Sequence, residues 1–286
     1  GGRRMIDKTR TQQRQSFQES GTHIGNGGNI SVTVDPLGSI TTSGGNTPGI
    51  WAQSVGGGGG LVNTTAGPAY AGSAGGTGTG GTIDITVNGK ITVTGLASNG
   101  ILAQSLGDST STSPITVTIG TTGNIQAGLS NQGQFGDGSS AGVYIDHGGV
   151  TSATPNKVTN NGTLYTYSSG TNSIAVWSSG GYTQVFNNGT MGGDILLQNN
   201  GGQGCFTNGK MANGQSAVFD SGDAVAVGPC GVSNFGTINI KGSNTGTTTI
   251  TGDYTGNGSL VFDADFAGGK SDKLVVTDGS ISGHTQ

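Results

Sequence analysis

The chain has 286 residues, of which 60 are glycine, and only 9% are charged. Disordered chains pair high charge with few β-branched residues; here charge is low and Ile, Val and Thr alternate, which points to short strands joined by glycine-rich turns. All four arginines precede residue 15, and residues 21–286 hold six lysines against thirteen aspartates, which argues against a nucleic-acid partner and against anionic membrane surfaces.

Residues 1–20 are basic and polar and lack the hydrophobic stretch of a signal peptide. They are read as a linker or a disordered segment and set aside. No apolar run approaches the ~20 residues of a membrane helix, so the sequence reads as an internal fragment. Gly21-Thr22-His23 is similar to the histidine motif of subtilisin-like proteases, but no Gly-Thr-Ser-Met nucleophile block follows. His23 is therefore read as a loop residue ahead of the first repeat.

From Ile30 a three-part unit recurs. Its first part alternates apolar and polar residues, as in Ile30-Ser31-Val32-Thr33-Val34, Ile83-Asp84-Ile85-Thr86-Val87 and Ile115-Thr116-Val117-Thr118-Ile119. Alternation with period two marks a strand with one buried and one wet face. The second part is Gly, a polar residue and a large aliphatic: Gly38-Ser39-Ile40, Gly89-Lys90-Ile91, Gly123-Asn124-Ile125, Gly162-Thr163-Leu164, Gly189-Thr190-Met191 and Gly236-Thr237-Ile238. The third reads Gly49-Ile50-Trp51-Ala52-Gln53-Ser54-Val55, then Gly100-Ile101-Leu102-Ala103-Gln104-Ser105-Leu106, with looser copies at Gly142-Val143-Tyr144-Ile145 and Ser173-Ile174-Ala175-Val176-Trp177.

The spacing inside a unit is regular. Ile30 to Ile40, Ile40 to Ile50, Ile91 to Ile101 and Leu164 to Ile174 are each 10 residues. Length varies mostly after the third part, at 56–81, 107–114 and 148–156, with one insertion between Ile125 and Val143 that contains Gly133, Gly136 and Gly138. Three short strands per unit with one decorated corner predict an all-β fold: a right-handed parallel β-helix, in which inward aliphatics form ladders along the axis. An antiparallel sandwich or barrel is the rival arrangement of the same strands. The Asn-Gly pairs at 88–89, 99–100, 161–162 and 188–189 are expected at bends, where both residues tolerate positive φ.

Several shorter patterns bear on chemistry. Gly107-Asp108-Ser109 is similar to the nucleophile block of GDSL-type esterases, but the Asp-x-x-His partner is absent, so it reads as a loop. Trp51, Tyr144 and Trp177 hold related places in the third part. Facing outward they form an aromatic ladder suited to sugar rings; facing inward they are core. Cys205 and Cys230 are expected to form one disulfide, closed in an oxidising space such as the periplasm; reduced thiols are the alternative. Asp263 and Asp265 flank Ala264, so a strand would place both on one face, where paired carboxylates do acid–base work or simply stay solvated. Gly268-Gly269-Lys270-Ser271-Asp272 resembles a single imperfect calcium nonapeptide, too short and unrepeated to supply opposing ligands. No cofactor is expected.

Near residue 249 the character changes. The chain reads Thr251-Gly252-Asp253-Tyr254-Thr255-Gly256-Asn257-Gly258-Ser259-Leu260-Val261-Phe262, then Gly268-Gly269-Lys270-Ser271-Asp272-Lys273-Leu274-Val275-Val276. This resembles the segment just before the autochaperone region of pertactin-like autotransporter passengers, the exported domains of type V secretion. Tyr254 and the run Asp272, Lys273, Leu274, Val275 and Val276 carry the likeness, which covers residues 251–279. The resemblance implies a passenger of repeats over 21–248 and C-terminal coils over 249–286. It also implies export through the periplasm, secretion or display at the bacterial cell surface, and attachment to its own C-terminal outer-membrane barrel. The expected role is a non-enzymatic adhesin or adhesin stalk that meets a protein or glycan of a host or neighbouring cell. The alternatives are a β-helical enzyme acting on polysaccharide and a pure spacer.

Overall fold

A computed structural model describes residues 25–285 apart from 58–60, 65–66, 71–77, 108–112, 128–139, 148–150, 152, 167–173, 200–201 and 243–244. The expectations for residues 1–20, His23, Asp108-Ser109 and the glycines at 133, 136 and 138 lie outside the described residues.

Among the described residues there is no helix, and the strands wind into stacked coils that pair in parallel, each with the next. The fold is a parallel β-helix. On its first face Ile30–Val34 pairs with Ile83–Val87, which pairs with Ile115–Ile119, so strands far apart in sequence become neighbours. The inward column there runs Val32, Ile85, Val117, Val158, Val185, Phe206, Val232 and Tyr254. The second face contributes Ile40, Ile91, Ile125, Leu164, Met191, Phe219, Ile238 and Leu260. The third contributes Ile50, Ile101, Val143, Val176, Ile195, Val225, Ile250 and Val276. These columns form one continuous core. Each fully buried Ile or Val adds about 1.5–3 kcal/mol, but only against its neighbours above and below, so no coil is stable alone.

The corner between the first and second faces has its own rule, and it corrects an expectation. None of the Asn-Gly pairs at 88–89, 161–162 and 188–189 has positive φ, nor does the pair at 99–100 between the second and third faces. At this corner the glycines are needed for space. A Cβ on Gly189 would lie 2.2 Å from the Gly162 carbonyl oxygen of the coil beneath, and one on Gly162 would lie 2.3 Å from the carbonyl oxygens of both Gly120 and Gly123. This close approach lets Thr190 N–H donate to the Gly162 carbonyl at 2.9 Å.

Asparagine serves the same corner through its side chain. The position held by Val34, Val87 and Ile119 in the early coils passes to Asn160, Asn187, Asn208 and Asn234, all fully buried. Asn160 Nδ2 donates to Asn187 Oδ1 at 2.8 Å, Asn187 Nδ2 to Asn208 Oδ1 at 2.9 Å, and Asn208 Nδ2 to Asn234 Oδ1 at 3.0 Å. The column ends where Asn234 Nδ2 donates to the Tyr254 hydroxyl at 3.4 Å.

Two further features differ from the sequence expectation. A coil that the glycine pattern skipped lies between Met191 and Ile238, with Phe219 in the core and Ala217 in the glycine slot. Variable length occurs at two corners: after the third face, and between the second and third faces at 128–140 and 262–272. Segment 56–81 carries an antiparallel hairpin, Leu61–Thr64 with Gly67–Tyr70. Stacking crosses residue 249 within a single strand, Thr247–Gly256.

Candidate functional site

On the third face, Ile50 and Ala52 point into the core while Trp51 and Gln53 lie on the opposite side of the strand. The outward row runs in register as Trp51, Leu102, Tyr144, Trp177 and Leu196. Tyr144 and Trp177 stack, with ring centroids 4.4 Å apart and planes 12° from parallel. The row therefore follows neither simple alternative. It faces away from the core, yet Tyr144 is 4% and Trp177 7% exposed, and they form a second apolar cluster with Leu102, Ala141 and Ile174. Trp51 and Leu196 are partly buried at its edges. Trp177 Nε1 is buried without a hydrogen-bond partner among the described residues.

A polar row runs beside the rings. Gln53 Nε2 donates to Gln104 Oε1 at 3.2 Å, Trp51 Nε1 donates to the same oxygen at 3.1 Å, and Gln104 Nε2 donates to Asp146 Oδ2 at 3.2 Å. The sequence did carry a signal for this row: Ala-Gln-Ser occurs at both 52–54 and 103–105. The serines of those triplets turn inward at the corner. Ser54 Oγ accepts from Gly81 N–H and donates to the Gly28 carbonyl, both at 2.8 Å. His147, just past Asp146, is buried; desolvation pulls its pKa below the ordinary 6.5, and a bond to the Ser113 backbone partly restores it.

A second polar cluster was missed in the sequence because its members come from separate coils. Asp194 is 5% exposed. Burial raises its pKa; the Ala224 N–H bond at 2.9 Å opposes that, the Asp223 charge adds to it, and the Asp223 N–H and Lys241 lower it. Lys241 pairs with Asp223. Nearby on the second face, the Tyr165 hydroxyl donates to Asp220 Oδ2 and Asn239 Nδ2 donates to Asp220 Oδ1 at 2.6 Å. Burial, then the bond to Asp220 and its charge, push the Tyr165 phenol up. Gly192 lies between them in register, and a Cβ there would meet the Tyr165 ring at 2.8 Å. Among the described residues no three His, Cys, Asp or Glu side chains group as metal ligands.

The remaining sequence-predicted residues fall as follows. Cys205 and Cys230 are disulfide-bonded, with Cα atoms 5.2 Å apart. Tyr254 is a core residue. Leu274 and Val276 pack on the core from the partly buried third face, while Lys273 is exposed and Val275 half-buried. Asp272 is 8% exposed and structural: Oδ1 accepts from Gly246 N–H at 2.9 Å and Oδ2 from Asp263 N–H at 2.7 Å. Asp263 and Asp265 do not share a strand face. The strand Ser259–Val261 ends first, and Asp265 sits in a separate antiparallel hairpin, where Oδ1 accepts from Gly268 N–H at 2.9 Å.

No family model, no curated protein and no solved structure matches this chain.

Proposed function

We propose that this chain is a non-enzymatic passenger segment of an autotransporter, displayed at the cell surface or secreted, whose coil stack acts as an adhesin or the shaft of one. The adhesive part is carried by the stripe on the third face, where a row of rings runs in register beside Gln53, Gln104 and Asp146. Its buried rings, Tyr144 and Trp177, fix the stripe, and the partly buried Trp51 and Gln53 at its edge suit a linear glycan or an extended protein segment of a host or neighbouring cell. An apolar face stacks on the Trp51 ring while the Gln53 amide takes hydroxyl or backbone groups. The export part is supported by Tyr254 and residues 272–276, whose pattern resembles the family's C-terminal coils. In that reading the segment crosses the periplasm and stays tied to its own outer-membrane barrel, and the Cys205–Cys230 disulfide fits such an oxidising route.

The test is binding of the purified chain to intact cells and to immobilised glycans. Trp51 and Gln53 are only partly buried, so Trp51→Ala/Gln53→Ala should weaken binding about tenfold or more, the scale of losing one anchoring ring, while a cooperative melt shows that the variant still folds. A wild-type chain that binds no surface would leave the spacer reading. One observation favours the polysaccharide-acting alternative: Asp194, with its raised pKa, lies beside the Asp223–Lys241 pair, which supplies a cation. Release of oligosaccharides from a bound glycan, lost in Asp194→Asn, would establish that alternative instead.

A further inference from the structure

At the C-terminal end the chain leaves the coil to form a small hairpin, Ala264–Asp265 against Lys270–Ser271. Its base is clamped. Asp272 N–H donates to the Asp263 carbonyl and Lys273 N–H to the Gly246 carbonyl, both at 2.8 Å, while the Asp272 carboxylate takes the Gly246 and Asp263 N–H groups. Between this base and the 245–247 turn lies a recess of about 350 Å³, lined by Thr245, Thr247, Lys270, Ser271 and Lys273, with Gly246 and Asp272 completing it. That volume is in the range of small-ligand sites, which run from roughly 300 to 1,000 Å³.

The lining is unusual for this molecule. Two of the six lysines of residues 21–286 meet here, and a third lies behind the turn: the Lys241 side chain packs so near Gly246 that a Cβ there would be 3.2 Å from Lys241 Cε. Lys241 is neutralised by Asp223. Lys270 and Lys273 have no ion-pair partner among the described residues, and the hydroxyls of Thr245, Thr247 and Ser271 have no hydrogen-bond partner there. Of the three nearby carboxylates, two already accept backbone N–H groups: Asp272 from Gly246 and Asp263, and Asp265 from Gly268; that of Asp263 is exposed. Two lysines and three hydroxyl residues with their donors unspent thus line one recess, in a body whose other charge is mostly acidic.

We propose that this recess binds the carboxylate or sulfate group of an acidic sugar residue. The ammonium groups of Lys270 and Lys273 face the anionic group, and Thr245, Thr247 and Ser271 exchange hydrogen bonds with the ring hydroxyls. The sugar scaffold rests on the adhesion reading above; capture of the anion does not.

The experiment is calorimetric titration of the full chain with a carboxylated oligosaccharide, its sulfated and neutral counterparts, and inorganic sulfate. Both acidic sugars should saturate a single site more tightly than inorganic sulfate, with no saturable heat from the neutral one. Whichever acidic form binds tighter identifies the anionic group. Lys270→Ala/Lys273→Ala should weaken binding about tenfold or more, while the charge-matched control Lys90→Ala/Lys157→Ala stays within about twofold; all four lysines are exposed. Thermal melting of both variants checks that they fold. Equal losses in the two variants, inorganic sulfate bound as tightly as the sugars, or no saturable heat would overturn the proposal. Site-specific binding of the sugars by a chain that adheres to no cell would keep the recess and sink the adhesion reading. Cell adhesion that persists in Lys270→Ala/Lys273→Ala, with no heat from the sugars, would do the reverse.

Discussion

Asn187 has every hydrogen-bonding position of its side chain filled. Its Nδ2 donates to Asn208 Oδ1 and to the Val218 carbonyl, both at 2.9 Å, and its Oδ1 accepts from Asn160 Nδ2 and from Gly189 N–H. The same inward position holds Val87 and Ile119 in earlier coils, so the site tolerates either an apolar residue among apolar neighbours or an amide among amides. A mixture is the costly case, because it buries unpaired polar groups. Asn187→Ala strands partners above, below and in its own turn, and should cost about 3–5 kcal/mol, since each stranded group costs about 1–3 kcal/mol. Urea unfolding measures it; a loss below about 1 kcal/mol would mean that the amides are not coupled.

At the scale of strands and corners, legibility followed the period. The alternation in Ile83–Val87 and Ile115–Ile119 is strict because one side is core and the other is wet, so the first face could be read directly. The coil through Phe219 was hidden because the excursion 210–216, closed by the Lys210–Ser216 bridge, separates Gly209 from Ala217. The asparagine column was not legible: Asn160 and Asn187 only precede the Asn-Gly pairs at 161–162 and 188–189, and local propensity does not reveal that side chains from successive coils will touch. The stripe of Trp51, Tyr144 and Trp177 was legible as a repeat position, but its burial was not, because that depends on packing across coils. The disulfide belongs to this scale too. Cys230 sits on an excursion between Gly228 and Gly231, with φ of 99° and 74°, where pairing with the next coil slips out of register. The bond ties that excursion to Cys205 on the first face, closing a sequence separation of 25. Cys205→Ser/Cys230→Ser should lower stability by about 3 kcal/mol, and reductant should then have no further effect. An unchanged urea midpoint would show that neighbouring coils hold the excursion without the bond.

For the whole molecule, the function proposed depends on a rigid axis along which sequence distance no longer matters. Outward positions on the first face make the test simple. Thr33, Thr86, Thr118, Thr159, Phe186, Thr207, Ser233 and Thr255 are successive register partners, although the coils between them differ widely in length. The most direct measurement is pulsed electron spin distances between a label at Thr255→Cys and a second label at Thr33→Cys, Thr118→Cys or Thr159→Cys. Stacked coils ~4.8 Å apart predict backbone separations of ~34, ~24 and ~19 Å, shrinking by one strand spacing per coil. Distances that fail to fall with coil number, or that follow residue count instead, would contradict the parallel coil stack and the surface shaft built on it.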